Sequence, residues 1–427
     1  MQKRQHFQQM NILVDNGTYN LHNMGDIAML KVAVNRLKEL WPESIVRVIS
    51  NEPTRLKNYV AADTVSPQFS QSWANARLIP MKRRWTSISL QQRVHTIEDG
   101  FRQHLPRTTI ALLNAARPLN HTKSRMASEF AKIVKASDLV IASGGGYLND
   151  AFQQHTRQMS LLFDLAQHLG IRTAMVGQGL GPLENHELRE LAERIWPKMD
   201  LIGLRERRFA PELLKRIGAT HTNSHWTGDD AVELAYGQRR KHAGDSIGIS
   251  LRMAKYSQIN TNEIKELGQV IRRKQNKWKV DIRPLPISFS RTEADLNRIE
   301  EFLTKFSLRS SRVNIEQTPE NICNLAASCR LVVTATYHAG VFALSQGIPI
   351  VGLVKSQYYS NKFEGLADCF PGGCAIVRMD GDRLASRLDQ VIEEQWNAAD
   401  DLRPGLLIAA QKQINAGQAA FRLLKYK

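Results

Sequence analysis

The stretch DLVIASGGGYLNDAF, residues 138–152, decides the fold class. Its apolar run, Leu139 to Ala142, has the length of a buried strand, and three consecutive glycines, Gly144, Gly145 and Gly146, follow it closely. Glycine is costly inside regular structure, so three together indicate a tight turn or a close approach of another group to bare backbone. We expect a helix to begin near Asn149 or Asp150, which places the glycines at a strand end, where ligands bind in α/β sheets.

Similar apolar, β-branched runs alternate with amphipathic segments along the chain. They cover residues 11–15, 45–50, 138–143, 171–177, 200–204, 246–251, 331–336 and 348–354. The segment 26–40, DIAMLKVAVNRLKEL, is a clear helix, with Asp26 placed to cap its start. This alternation is typical of parallel sheets with helices on both faces, so we predict an α/β fold.

A polar gap at residues 235–245 divides this pattern into two halves. We predict an N-terminal Rossmann-like domain over 1–236 and a C-terminal one over 245–395. The amphipathic segment 396–427 is predicted to be helical and to pack back across the domain border. A basic helical insertion, about 66–128, interrupts the first domain.

The chain of 427 residues has 58 Lys and Arg against 41 Asp and Glu, a net charge of +17, which favours an anionic partner. The insertion has ten basic residues against two acids. It is either a solvated helical insertion or a surface that binds anionic lipid or a charged glycan carrier. No nucleic-acid-binding motif accompanies the charge, so we do not expect a nucleic-acid partner.

The N-terminus lacks an apolar stretch of signal-peptide length, and the apolar region 331–354 is interrupted by polar residues and proline. We therefore expect a cytoplasmic protein, without a membrane span and with peripheral contact to the inner membrane as one interpretation. The four cysteines have neither paired spacing nor histidine neighbours, which indicates free thiols and no metal site.

Three glycine-rich segments of the first half are predicted to meet at one rim of its sheet. They are Gly25 with Asp26, the triple glycine, and GQGLGP at 177–182, which contains Gly179. Backbone N–H groups at such a rim suit a phosphate or carboxylate. Each segment also has a purely structural interpretation, a turn or a helix cap.

Four further side chains are candidates for chemistry. Arg205 and Arg252 each follow a predicted strand, and Lys362 lies in the aromatic-rich segment YYSNKF, which we interpret as a loop. His338 stands between a strand and a helix, where the helix dipole keeps an imidazole nearer neutral and suits it to accept a proton.

In this order, the motifs resemble those of the polysaccharide pyruvyl transferase family. They are NMGD at 23–26, GGGYLND at 144–150, GQGLGP, Arg205-Glu206, GDDAVEL at 228–234, SLR at 250–252, His338-Ala339, GIP at 347–349 and Lys362. Two positions depart from the family pattern. Thr336 replaces a usual arginine two residues before the histidine, and Phe209 replaces a serine after the Arg-acid pair.

The resemblance implies a two-domain architecture similar to GT-B glycosyltransferases, with parallel sheets and the active site in the cleft between the domains. It implies phosphoenolpyruvate as donor and a sugar of an exopolysaccharide or cell-envelope glycan, including lipid-linked precursors, as acceptor. The product would be a pyruvate ketal, with phosphate released and no cofactor beyond the co-substrate. His338 would act as acid or base, and Arg205, Arg252 and Lys362 would bind the donor.

Two other functions stay open at this point. A GT-B glycosyltransferase using a nucleotide sugar would share both halves and the glycine-rich rim. A basic glycan- or nucleic-acid-binding protein without activity would use the charge alone.

Overall fold

The computed structural model describes residues 9–76, 88–115, 122–220, 223–252, 261–290, 294–310 and 316–425. Two parallel sheets form its framework. Five of the ten basic residues of the insertion lie outside the described residues, as does Trp85. They are Arg77, Lys82, Arg83, Arg84 and Arg117.

The first sheet has the strand order β3-β2-β1-β4-β6-β7-β8, with β5 beside β6. Its strands are β1 (Asn11–Asp15), β2 (Ile45–Ile49), β3 (Asp63–Val65), β4 (Leu139–Ala142), β5 (Gly145–Leu148), β6 (Arg172–Leu180), β7 (Leu201–Leu204) and β8 (Ser224–Trp226). The strand order reverses between β1 and β4, so a crevice opens at their carboxyl ends.

The second sheet has the order β10-β9-β11-β12-β13. Its strands are β9 (Ser246–Ser250), β10 (Ile282–Pro284), β11 (Cys329–Thr334), β12 (Ile350–Val354) and β13 (Cys374–Arg378). The reversal falls between β9 and β11, which places the residues after these two strands at the crevice of this sheet.

Helices cover both sheets. In the first half they are α1 (Met24–Leu40), α2 (Pro53–Tyr59), α3 (Pro67–Ala74), α4 (Ile88–His104), α5 (Pro106–Ala115), α6 (Thr122–Lys135), α7 (Gln153–His168), α8 (His186–Ile195), α9 (Ala210–Arg216) and α10 (Ala231–Gly237). In the second half they are α11 (Thr261–Trp278), α12 (Asp295–Lys305), α13 (Pro319–Ala327), α14 (Tyr337–Leu344), α15 (Gln357–Cys369), α16 (Leu384–Asn397) and α17 (Ala399–Leu423). None of the helices in the described part of the chain is both long and apolar enough to cross a bilayer.

The α/β fold with parallel sheets is confirmed, and each apolar run of the sequence contains a strand. Two boundaries were wrong. The helix after the triple glycine begins at Gln153, because a short strand, β5, and a 3₁₀ turn over Asp150–Phe152 come first. The strand predicted to end at Gly177 continues to Leu180, so Gly179 lies within β6 and not in a turn.

The two halves are packed together behind the crevices. One apolar core joins α1 and α10 to α13 and α14, and α17 adds Leu406, Ile414 and Phe421 to it. At its end α17 packs on the first sheet, where the Arg172 guanidinium donates a 2.5 Å hydrogen bond to the Leu424 carbonyl. All four cysteines are free and buried in the second half.

Candidate active site

The loop after β1 and the start of α1 form one wall of the site. The Asn23 side chain caps α1 by accepting hydrogen bonds from the Gly25 and Asp26 N–H groups at 3.0 and 3.3 Å. The Thr18 hydroxyl donates to the Asp26 carboxylate, which points away from the helix cap and into the cleft. Asp26 is therefore not the helix cap, and burial raises the pKa of its carboxyl group.

His338 lies in the first turn of α14, the helix that follows β11 and begins beside the cleft. Gly25 makes room for it, because a Cβ at that position would stand 2.0 Å from the His338 Cγ. The imidazole Nε2 lies 3.8 Å from Asp229 Oδ2 and has no hydrogen-bond partner among the described residues. Burial, together with Arg205, Lys362 and Arg252, lowers the pKa of His338 well below its ordinary value, so the ring is neutral.

Arg205 follows β7, and its buried side chain is surrounded by a carboxylate, an aromatic ring and two glycines. Its Nη1 lies 3.6 Å from Asp229 Oδ2, and its guanidinium carbon lies 4.3 Å from the centre of the Tyr337 ring. A Cβ at Gly146 or Gly179 would stand 2.7 or 2.4 Å from Nη2. These two glycines therefore keep the space that the arginine occupies.

The triple glycine is explained mainly by packing inside the protein. A Cβ at Gly144 would lie 2.7 Å from the Met29 sulfur, and one at Gly145 would lie 2.0 Å from the Tyr147 ring. Of the three, Gly146 lines the cleft. The expectation that all three leave bare backbone for a ligand is therefore wrong for Gly144 and Gly145.

Lys362 lies on α15, not in a loop as the sequence suggested. Its ammonium group is 4.2 Å from the centre of the Tyr358 ring, and the Tyr358 hydroxyl donates a 3.2 Å hydrogen bond to the Gly146 carbonyl. Burial and then the neighbouring charge of Arg205 lower the pKa of Lys362 well below its ordinary value. An anionic ligand beside it would reverse this effect.

Arg252 follows β9 and is held by the first residue of α12. Its Nε and Nη2 donate to the two carboxylate oxygens of Asp295 at 3.0 and 2.8 Å. Asp295 Oδ2 also accepts from the Ile287 and Ser288 N–H groups, at 3.0 and 2.7 Å, so the ion pair is oriented. The arginine side chain still lines the cleft.

These side chains surround a cavity of about 290 Å³, which we call the donor cavity after the role proposed for it below. Of the residues predicted from sequence, it is lined by Asp26, Gly146, Arg205, Arg252, His338 and Lys362. A neighbouring cavity of about 460 Å³, the outer cavity, lies beyond a wall that both share and includes Gly179. The shared wall consists of Gly146, Arg205, Tyr337, Tyr358 and Lys362.

Sequence reasoning missed Tyr337 and Tyr358 and left Asp229 and Asp230 ambiguous. The Asp229 Oδ1 accepts a 2.9 Å hydrogen bond from the Ala231 N–H at the start of α10, while its Oδ2 faces Arg205 and His338. Asp230 instead pairs with Arg36. Tyr337 and Tyr358 are neighbours of predicted residues, one before His338 and one helical turn before Lys362, which is the signal that could have revealed them.

Among the described residues, no group of three or more His, Cys, Asp or Glu side chains is placed to hold a metal ion. The comparison with protein families gives a match over residues 23–356 to the family described as polysaccharide pyruvyl transferase. The chain belongs to this family. This pyruvyl transferase family member has no match among curated proteins.

Solved structures show the same fold at low identity. A UDP-GlcNAc 2-epimerase from Neisseria meningitidis, bound to UDP-GlcNAc, is 12% identical with a TM-score of 0.55 over 98% of this chain and 100% of its own. A UDP-GlcNAc 2-epimerase from Methanocaldococcus jannaschii has the same identity, TM-score and coverage. A UDP-glucosyltransferase from Polygonum tinctorium is 11% identical with a TM-score of 0.55 over 99% of both chains. The GT-B-like architecture of the pyruvyl transferase is thereby confirmed.

Proposed function

We propose that this family member transfers the pyruvyl group of phosphoenolpyruvate to two hydroxyls of one sugar in an exopolysaccharide or cell-envelope glycan. The observation that carries the proposal is the convergence of Arg205, Arg252 and Lys362 on the donor cavity, with His338 in its wall. The donor combines a phosphate with a carboxylate, and planar guanidinium groups and an ammonium group are the side chains that bind such anions.

The proposed reaction involves no change of oxidation state. One sugar hydroxyl adds to C2 of the donor while C3 takes up a proton and becomes a methyl group. The second hydroxyl then displaces phosphate from C2 and gives up its proton to the departing phosphate, which completes the ketal. The proposal therefore needs no redox cofactor, and phosphoenolpyruvate is a co-substrate.

The pKa shifts support a division of roles between two side chains. Burial lowers the pKa of His338 and its Nε2 is unpaired among the described residues, so it suits the base that accepts the hydroxyl proton. The Asp26 carboxyl lines the same cavity, and burial raises its pKa against the lowering effect of the nearby cations, so it is our candidate for the acid that delivers a proton to C3.

The outer cavity is our proposed acceptor subsite. A sugar must reach C2 of the donor with two hydroxyls, and this cavity adjoins the donor cavity across the shared wall. Phe209 and Leu213 form an apolar side that suits the C–H face of a pyranose, and Asn361 and Glu212 offer polar groups at its edge. Phe209 is the residue that replaces the usual serine, which makes it a candidate for acceptor choice.

Incubation with phosphoenolpyruvate and a panel of methyl pyranosides tests the function. We expect phosphate release and a ketal product, and an Arg252→Ala variant should lose at least 100-fold in kcat/KM. A Lys355→Met variant is the control, because Lys355 pairs with Glu263 at 2.6 Å and lines neither cavity. Release of UDP from a UDP-hexose, with no phosphate from phosphoenolpyruvate, would instead support the glycosyltransferase alternative.

A Phe209→Ala variant tests the acceptor subsite separately. We expect the KM for the best methyl pyranoside to rise about tenfold, with the Kd for phosphoenolpyruvate, measured by calorimetry without acceptor, unchanged within twofold. A Phe209→Leu variant should recover most of the loss because it restores an apolar side. An equal loss of donor affinity would assign the outer cavity to the donor.

We also propose that the reaction takes place in the cytoplasm, at the inner face of the membrane, where a lipid-linked acceptor is within reach. The net charge of +17 supports a location beside anionic lipid.

A further inference from the structure

An apolar stripe is exposed on the basic insertion. Its members are Ile97, Phe101, Leu105 and Leu112, with exposed fractions of 59, 42, 49 and 45%. The first three are spaced by four residues along α4 and the residue after it, so they lie on one side of that helix. Leu112 lies on the next helix, α5. Exposed apolar side chains that are grouped on one side of a helix mark an interaction surface.

The flank of α4 beside the stripe is fixed to the domain, which gives the stripe a defined orientation. Glu98 and Arg102, each one residue after a member of the stripe, are buried at 4 and 2% exposure. The Arg102 guanidinium donates a 3.0 Å hydrogen bond to the Ala76 carbonyl and lies 2.5 Å from Asp99 Oδ1. Buried charged residues on this flank and exposed Ile97, Phe101 and Leu105 beside them reverse the pattern of a core helix.

The charges around the stripe are positive. Arg93 lies one turn before Ile97 and is exposed, as is Arg107 after Leu105. The two acids of the insertion do not offset them, because Glu98 is buried and Asp99 pairs with Arg102 and Arg157. Basic side chains beside exposed aliphatic and aromatic ones are the composition that binds anionic lipid surfaces.

Helix α4 contacts α7, which begins beside the cleft. Asp99 Oδ2 is 3.8 Å from the Arg157 Nη2, and Arg157 stands in the second turn of α7. Phe152, immediately before α7, is 41% exposed and lines the donor cavity. The ion pair therefore fixes α4 near the end of α7 that adjoins the cleft.

We propose that this face, defined by Ile97, Phe101, Leu105 and Leu112, docks on an anionic phospholipid bilayer. The apolar side chains enter the headgroup region, and the basic residues beside them contact lipid phosphates. The docked protein then presents its cleft to saccharides carried on lipid. The inference rests on the surface alone and stands or falls independently of the donor chemistry.

Vesicle flotation tests the surface with the full-length protein. We expect binding to phosphatidylcholine vesicles that contain 30% phosphatidylglycerol, and at least tenfold weaker binding to pure phosphatidylcholine. An Ile97→Glu/Phe101→Glu variant should lose at least tenfold in affinity for the anionic vesicles. Ile408→Glu is the matched control, because Ile408 is 70% exposed on α17, and it should bind like the wild type.

Thermal unfolding verifies that the double variant is folded, since both substituted residues are exposed. Equal binding of the double variant and the wild type, or no binding of the wild type, overturns the proposal. A dimer of the wild type that the double variant loses, seen by light scattering without vesicles, also overturns it, because the stripe would then contact a second copy of the chain.

Discussion

Lys362 is the residue whose charge depends most directly on what occupies the cleft. Arg205 and burial disfavour its ammonium form, and the Tyr358 ring lies 4.2 Å away on one side. An anion that enters the donor cavity replaces repulsion with attraction and raises the pKa of the lysine again.

Binding of phosphoenolpyruvate should therefore be accompanied by proton uptake near neutral pH. Titration calorimetry in buffers of different ionisation enthalpy measures it. A Lys362→Met variant should take up fewer protons and bind the donor at least tenfold more weakly, because it removes both a titrating group and a positive charge. Lys355→Met should match the wild type in both respects, and an uptake in Lys362→Met as large as that of the wild type would contradict the assignment.

Arg36 couples two helices, α1 and α10, through buried ion pairs. Its Nη1 lies 2.6 Å from Asp230 Oδ1, and its Nε lies 2.9 Å from Glu233 Oε2. Burial raises the pKa of Asp230 to about 6, and the arginine is the largest influence that lowers it. The ionised carboxylate in this site therefore depends on the arginine beside it.

An Arg36→Met variant should lose about 3 kcal/mol of unfolding free energy at pH 7.5, because it leaves a buried carboxylate unpaired. Protonation removes that charge, so the loss should shrink toward pH 5, below the pKa of Asp230, which the substitution raises further. Urea unfolding at the two pH values measures this. Arg189→Met, whose partner Glu193 lies 4.0 Å away on the surface of α8, should change stability by less than about 0.5 kcal/mol at either pH.

The sequence predicted the positions of helices and strands better than it predicted the contacts between side chains. Strands were found because a parallel strand covered on both faces is continuously apolar, as in β4 and β12. The α15 helix was interpreted as a loop because its start is rich in polar and aromatic residues. Tyr359, Phe363 and Leu366 are nevertheless buried at helical spacing, and Ser356 caps the start.

The sequence predicted which strand ends meet at the cleft, but not the contacts between the side chains there. The rim position of Arg205, Arg252 and His338 follows from parallel strands that end at one edge. The reason for the glycines does not follow, because Gly25 accommodates an imidazole more than 300 residues away in sequence. Such long-range contacts leave no periodicity in the chain.

Helix α17 crosses from the second half to the first and adds to the apolar core that joins them. Its Arg403 donates a 2.7 Å hydrogen bond to the Gln346 carbonyl in the second half. Phe421, near its other end, is 2% exposed and has the Arg36 guanidinium carbon 5.1 Å from its ring centre. The helix therefore contributes to the core of both halves.

A Phe421→Ala variant should lose about 3 kcal/mol of unfolding free energy, from lost burial and the cavity left behind. Leu423→Ala is the control two residues away, because Leu423 is 38% exposed and should cost less than about 0.5 kcal/mol. Chemical denaturation followed by circular dichroism compares them. Equal losses in the two variants would show that α17 is not anchored through Phe421.

The rate at which the four buried thiols react depends on how often the protein opens around them. The second half contains four free, buried cysteines, Cys323, Cys329, Cys369 and Cys374. Burial raises the pKa of each thiol, so little of the reactive thiolate is present while the protein stays folded. Because all four thiols belong to the apolar core that joins the two halves, incorporation of an alkylating reagent, counted by mass, should report the transient opening of that core, and donor binding should slow it.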